Sequence, residues 1–282
     1  HKEYRRQRQM CIRDSFSQWD EAKRRTNDFE GCQMVKVYTS GTFFEDREIP
    51  VEWQEAILRE THEKGLHLVV EAQAHLCKDE KLSWLASIQP NCTVAIGLEA
   101  YDDEVLKFHV NKGFNLKTWH KAVQRLRKHN FGVKTYLLFK PPFMSEGDAL
   151  FHTTRWVKEV AQLSDEVSVN PMNIQKKTIV DRLHRNKEYR PPWLWSLVKM
   201  IQDSHEEISH LKCRVIVHPT AGGKIRGSHN CGACDREVVA AIERYSVSAD
   251  LDEFSGLDCK CRSTWLDEVS SDMSMPIQFG SG

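Results

Sequence analysis

The sequence predicts an α/β fold in which a parallel sheet is covered by helices. Three observations lead there. Short apolar, β-branched runs alternate with longer amphipathic stretches, and those runs carry polar residues at their carboxyl ends. The third is size: 282 residues with a hydrophobic fraction of 40% suffice for one barrel core or for two domains.

Met34 to Phe43 reads as a strand running into Thr39-Ser40-Gly41. Pro50 opens a helix that continues to about Lys64 and stops at Gly65, with Val51, Ile57 and Leu58 on its apolar face. Leu66 to Val70 is an apolar strand ending in Glu71, and a helix covers Asp79 to Ile88. Val94 to Leu98 is the next strand and ends in Glu99. Asp102 and Asp103 cap a short helix, and Lys117 to His129 forms a longer one. Val133 to Phe139 is a strand halted by Lys140-Pro141-Pro142, with a helix over Glu146 to Leu163 behind it. Glu166 to Val169 is a strand ending in Asn170-Pro171, followed by helical segments around Thr178 to Arg185 and Pro192 to His205. Thr39, Ser40, Glu71, Glu99, Lys140 and Asn170 thus fall at the carboxyl ends of strands, the edge where parallel α/β sheets bind ligands. Singly, each is equally a strand stop or a helix cap.

Composition excludes several classes. The charged fraction of 28% is that of a globular protein rather than a disordered tail. The apolar runs fall far below the roughly 18 residues of a membrane span, and the basic, polar start has no apolar segment behind it to form a signal peptide. Forty basic and forty acidic residues cancel, so net charge names no partner. Their distribution is uneven: Pro171 to Asn230 holds 11 Lys and Arg against 5 Asp and Glu, whereas Cys231 to Gly282 holds 4 against 10. Nine cysteines without a secretion signal point away from a disulfide framework and toward a reducing cytoplasm. Cys11, Cys32, Cys77, Cys92 and Cys213 are scattered; Cys231/Cys234 and Cys259/Cys261 are clustered.

Position 1 is not Met, and Met10 to Ser15 (Met-Cys-Ile-Arg-Asp-Ser) reads as a translated sequencing adaptor. On that reading residues 1–15 are non-native, native sequence enters near Phe16, and Arg5, Arg6 and Arg8 are no nucleic-acid arm.

Six strings carry a family resemblance: Val35-Lys-Val-Tyr-Thr-Ser-Gly-Thr-Phe-Phe44, Ile96-Gly-Leu-Glu-Ala100, Asn111-Lys-Gly-Phe114, Tyr136-Leu-Leu-Phe-Lys-Pro-Pro-Phe143, Tyr189-Arg-Pro-Pro-Trp-Leu-Trp195 and His229-Asn-Cys-Gly-Ala-Cys234. In this order, across Cys32 to Trp265, they resemble the archaeosine-biosynthesis radical S-adenosylmethionine proteins (RaSEA). The resemblance implies a partial (β/α) barrel of radical S-adenosylmethionine type lacking its first strand, over residues 16–210. A small Cys-rich metal-binding module over 211–270 and a tail over 271–282 follow. It further implies a [4Fe-4S] cluster and S-adenosylmethionine as cofactors. The activity implied is radical carbon–nitrogen bond cleavage in a lysine-modified 7-deazaguanine of tRNA, giving archaeosine. tRNA and the lysine-adding transferase of that pathway are the implied partners. Such proteins hold their cluster with a Cys-x-x-x-Cys-x-x-Cys loop, and nothing from Phe16 to Met34 has that spacing. A chain without the loop is expected to be inactive.

Carried over residue by residue, Thr39, Ser40 and Gly41 sit where the family meets the methionyl amino group of its cofactor, where small residues let backbone carbonyls approach. Glu71 and Glu99 suit ribose or amino contacts, or else a helix cap or an ion pair with Lys140. Lys140 suits the cofactor carboxylate or a phosphate. Asn170 and Gln175 suit amide pairing with the purine-like base or with adenine.

Cys231-Gly-Ala-Cys234 and Cys259-Lys-Cys261 supply four thiolates around a helical segment from Asp235 to Tyr245. Four thiolates satisfy tetrahedral Zn²⁺ with no open position, and a second iron–sulfur centre uses the same donors. A redox pair or unligated cysteines are the plainer alternatives, and His218 and His229 are spare ligands. In the basic stretch, Lys176, Lys177, Arg182, Arg185 and Arg190 are candidate tRNA contacts, with His184, Tyr189, Trp193 and Trp195 offering ring faces to an unpaired base. A solvated helix face with its tryptophans in the core is the other reading. Two further functions stay open: a zinc-stabilised RNA-binding protein with a catalytically silent barrel, and an α/β barrel enzyme of unrelated chemistry.

Overall fold

A computed structural model describes residues 17–38 and 42–273. The adaptor-like segment 1–15 and the expected cofactor residues Thr39, Ser40 and Gly41 lie outside the described residues. Six strands form one sheet in sequence order, β1 (Met34–Val37), β2 (His67–Glu71), β3 (Cys92–Glu99), β4 (Gly132–Phe139), β5 (Glu166–Pro171) and β6 (Arg214–Val217). Helices intervene between successive strands, the order of a (β/α) half-barrel. The described residues pack as two compact units: those within 17–97 together with 117–134, and 98–116 together with 135–273.

In the first unit, β1 pairs with β2 and β2 with β3, all parallel, in the registers Val35↔Leu68 and Val70↔Val94. Leu68, Val69 and Val70 are all buried, the continuous apolar run of a strand covered on both faces. A helix over residues 17–25 (α1) precedes β1. Helix α2 (Val51–Glu63) starts after Pro50 and buries Ile57 and Leu58. Its Thr61 hydroxyl accepts from the Gln89 amide, which also donates to the Leu66 carbonyl, so one buried side chain fastens the end of α2 to the entry of β2. Helix α3 spans Asp79–Ile88, within the expected limits. In a longer helix, Leu116–Lys128, the residues Trp119, Ala122, Val123 and Leu126 recur at helical spacing and are buried. Gly132 opens β4 because a Cβ there would lie 2.3 Å from the Thr93 hydroxyl.

The second unit holds most of β4, then α6 (Glu146–Ala161), β5, α7 (Ile179–Arg185), α8 (Leu194–Ile208), β6, α9 (Asp235–Ser248) and α10 (Cys261–Met273). The numbers α4 and α5 belong to the short Asp103–Val105 helix and to Leu116–Lys128. Asp102 caps α4 by accepting from the Glu104 and Val105 N–H groups. Ser145 caps α6 and Thr178 caps α7 by the same device, accepting from Asp148 N and Asp181 N. β5 and β6 pair in parallel, Val167 opposite Val215.

Two expectations are corrected. The strand expected over Met34 to Phe43 stops at Val37, and Phe43 and Phe44 are buried in the loop beyond it. There the Phe43 N–H donates to the Glu71 carbonyl. β6 escapes the sequence pattern because Arg-Val-Ile-Val is only four residues long and abuts His218-Pro219. No helix among the described residues is long and apolar enough to cross a membrane.

Candidate functional site

Polar strand ends in the two units and the four-cysteine group are the chemistry-bearing features. In the first unit, Glu71 ends β2 half-buried, its carbonyl taken by Phe43. In the second unit, Glu99 ends β3 with φ +78, a left-handed backbone that a non-glycine residue adopts only when its surroundings hold it there. Its carboxylate pairs with Lys112 at 3.1 Å. Thus the ion pair considered for Glu99 exists, with Lys112 in the place of Lys140.

Lys140 follows β4 in the left-handed conformation, φ +57, and is buried. Its ammonium meets Glu146 Oε2 at 2.7 Å, while Glu146 Oε1 accepts from the Trp193 N–H at 2.9 Å. The Tyr189 hydroxyl closes the arrangement by donating to the Lys140 carbonyl at 2.7 Å. Burial, and then the negative charge of Glu146, push that phenol well above its ordinary value, so it stays a donor. Sequence reasoning misses Glu146, because nothing local marks a carboxylate as the buried partner of a lysine six residues back. Asn170 sits half-buried near the end of β5, and the exposed Gln175 donates to Asn173 Oδ1 at 2.6 Å.

The basic stretch divides in two. Lys176, Lys177, Arg182 and Arg185 are exposed, on and just before α7. Arg185 also pairs with Asp181 at 3.5 Å. Arg190 is different: its guanidinium donates to the carbonyls of His229 at 2.7 Å, Pro191 at 2.9 Å and Asn230 at 3.4 Å, and lies 3.9 Å from the Trp193 ring centre. Tyr189, Trp193 and Trp195 are buried. Their rings are core packing, which corrects the expectation that they offer faces to an unpaired base.

The four cysteines converge. The sulfurs of Cys231, Cys234, Cys259 and Cys261 all lie within 4.8 Å of one another, with neither His218 nor His229 in the group. Gly232 makes the turn between the first two at φ +94. Cys234 precedes the first turn of α9 and Cys261 opens α10. The Ala233 N–H and neighbouring donors pull the Cys231 thiol down to about 7, whereas burial pushes Cys234 up to about 12.

Residues 15–152 match the model of the Radical SAM superfamily, the class to which the sequential parallel sheet conforms. Over 258 residues, 90% of this chain and 74% of the relative, the sequence is 31% identical to the archaeosine synthase subunit beta of Methanosarcina acetivorans. With the protein of that name from Thermococcus kodakarensis it shares 34% over 250 residues, 87% of this chain and 76% of the relative. The chain belongs to the archaeosine synthase subunit beta family of radical S-adenosylmethionine proteins. Its fold is similar to that of Methanocaldococcus infernus Elp3 with its amino terminus deleted (TM-score 0.59, 15% identity, 89% of this chain and 60% of that one).

The superfamily implies a [4Fe-4S] cluster and S-adenosylmethionine. The residues present do not fit the cluster: the 282 residues contain no Cys-x-x-x-Cys-x-x-Cys, and Cys32, ahead of β1, packs with Trp19, Ala22 and Val37 against the apolar Phe29, Val35 and Leu66 cluster. Unit by unit, the half-buried Glu71 carboxylate of the first, and the half-buried Glu99 carboxylate and Asn170 amide of the second, are groups that accept from hydroxyl and amino donors.

Proposed function

We propose that this chain acts in archaeosine formation on tRNA, as the subunit that addresses a lysine-modified 7-deazaguanine for carbon–nitrogen bond cleavage. The observation that carries the reading is identity above 30% over about nine-tenths of the chain with two proteins named archaeosine synthase subunit beta. The name subunit supports a protein partner, which we take to be the lysine-adding transferase. S-adenosylmethionine is the proposed ligand of the strand ends, with Thr39, Ser40, Gly41, Glu71, Glu99 and Asn170 as its contacts. Lys140 is a weaker contact, because its ammonium is already held by Glu146. Lacking the three loop thiolates, these 282 residues are expected not to cleave S-adenosylmethionine on their own.

Lys176, Lys177, Arg182 and Arg185 form the proposed tRNA contact, being exposed and clustered around one short helix. Arg190 contributes less, since its guanidinium is spent on backbone carbonyls. The test is binding to tRNA whose D-arm carries the lysine-modified base, compared with unmodified tRNA, at several salt concentrations. Binding should favour the modified tRNA. Lys176→Glu with Arg182→Glu should weaken it and lower the log–log salt slope by about 1 for each phosphate that is no longer neutralised. Equal, salt-insensitive affinity for both tRNAs and for the variant would overturn the reading.

A further inference from the structure

The four-cysteine group carries an inference that stands whether or not the tRNA reading does. A zinc ion bound to four thiolates at about 2.3 Å spaces its sulfurs about 3.8 Å apart, the edge of the tetrahedron. The Cys231–Cys259 and Cys234–Cys261 sulfurs are 3.7 Å apart, and no pair among the four exceeds 4.8 Å. A four-iron cluster places each thiolate on a different iron, so the body of the cluster holds the sulfurs well apart. A disulfide would bring two of them to about 2 Å. The spacing therefore matches a single ion.

Two side chains point N–H groups at these sulfurs. Trp195 Nε1 donates to Cys261 Sγ at 3.3 Å and Asn230 Nδ2 to Cys234 Sγ at 3.4 Å. They also fix each other, since the Trp195 backbone N–H donates to Asn230 Oδ1 at 3.3 Å. Four thiolates around a dication leave two negative charges. Two positive groups adjoin these donor residues: Arg262 sits over the Trp195 ring at 5.5 Å, and Arg190 grips the carbonyls of His229 and Asn230.

We propose that Cys231, Cys234, Cys259 and Cys261 hold one zinc ion with no open coordination position, and that Trp195 and Asn230 are its positioning residues. The Tyr189–Trp195 segment then belongs to the metal centre rather than to an RNA-binding face.

The test uses the full chain purified under reducing conditions. Elemental analysis should give one zinc per chain and no acid-labile sulfide. Several irons with sulfide, one iron in place of zinc, or no metal with the thiols oxidised would each overturn the assignment. Cobalt exchange should produce an intense thiolate-to-cobalt absorption band with tetrahedral visible bands, and Cys231→Ser with Cys234→Ser should abolish both. Should that variant fail to fold, Trp195→Phe decides, because it removes one N–H donor and keeps an aromatic ring. It should lower zinc affinity about 10–100-fold and shift the charge-transfer band. Trp265→Phe, equally buried but donating to the Ser196 hydroxyl, should do neither. A Trp195→Phe protein with wild-type affinity and an unmoved band would overturn the positioning role.

Discussion

Lys140 and Glu146 are a charge pair sealed inside the second unit, with side-chain exposures of 6% and 0%. Deleting one partner of such a pair leaves the other charge buried without compensation. Glu146→Gln is therefore expected to cost about 3–5 kcal/mol, measured by denaturant unfolding. Replacing both with apolar residues of similar size should recover much of that loss, because the lone charge is gone; a double variant no better than Glu146→Gln would refute this account. At Gly232 the constraint is the backbone alone. A Cβ there meets nothing within 4 Å, yet φ is +94. Gly232→Ala should destabilise by about 1–3 kcal/mol through that dihedral and weaken metal binding; unchanged stability and metal content would show that the turn tolerates a side chain. At this scale the sequence is informative where a motif is contiguous. Two Cys pairs, each broken by one or two residues, announce a metal knuckle. Glu146, Asn230 and Asp181 carry no local pattern, and only the fold brings their partners to them.

Among the elements, α7 is the short helix that carries part of the proposed tRNA contact, and its first turn depends on Asp181. One carboxylate oxygen meets Arg226 at 2.8 Å and the other accepts from the Lys177 N–H at 3.0 Å. The Arg226 hydrogen bond, followed by that of Lys177, holds the Asp181 carboxyl below its ordinary value. The folded chain thus takes up this proton less readily than the unfolded chain. The resulting stabilisation is complete above the unfolded carboxyl's range and disappears as pH falls through the lower folded value. Wild type should exceed Asp181→Asn in unfolding midpoint near pH 7, with the gap closing between about pH 5 and pH 2. A gap constant across that range would remove the ion pairing as its cause. Helices are the most legible elements because caps and apolar periodicity coincide: α3 and α6 begin at the expected residues. Strand ends are less so. Aromatic residues at 43 and 44 extend a β-like pattern beyond Val37, although burial in a loop satisfies them equally well.

Across the whole molecule, the order of strands can be anticipated because strand and helix alternate, and each strand of the sheet neighbours the next in sequence. The partition into two units cannot, because it cuts through β3 and β4 rather than falling at a linker. The acidic carboxyl-terminal surplus finds a partial explanation in the second unit, where Glu268 accepts from Trp193 Nε1 at 2.8 Å and Asp235 accepts from the N–H groups of Asn230 and Gly232. Metal loss should therefore be felt beyond the cysteines. Chelation under reducing conditions is expected to lower the thermal midpoint and to change tryptophan fluorescence in the same transition, since the Trp195 indole donates to the Cys261 sulfur. A midpoint indifferent to chelator would mean that α8 and α10 hold this region without the ion.

During translation, Trp195 leaves the ribosome sixty-six residues ahead of Cys261. At roughly 5–20 residues per second, the last sulfur arrives several seconds after the indole that waits for it. Throughout that interval the tryptophan-rich segment has no knuckle to settle against, so the nascent polypeptide presents a greasy stretch that a chaperone could cover until synthesis supplies the rest.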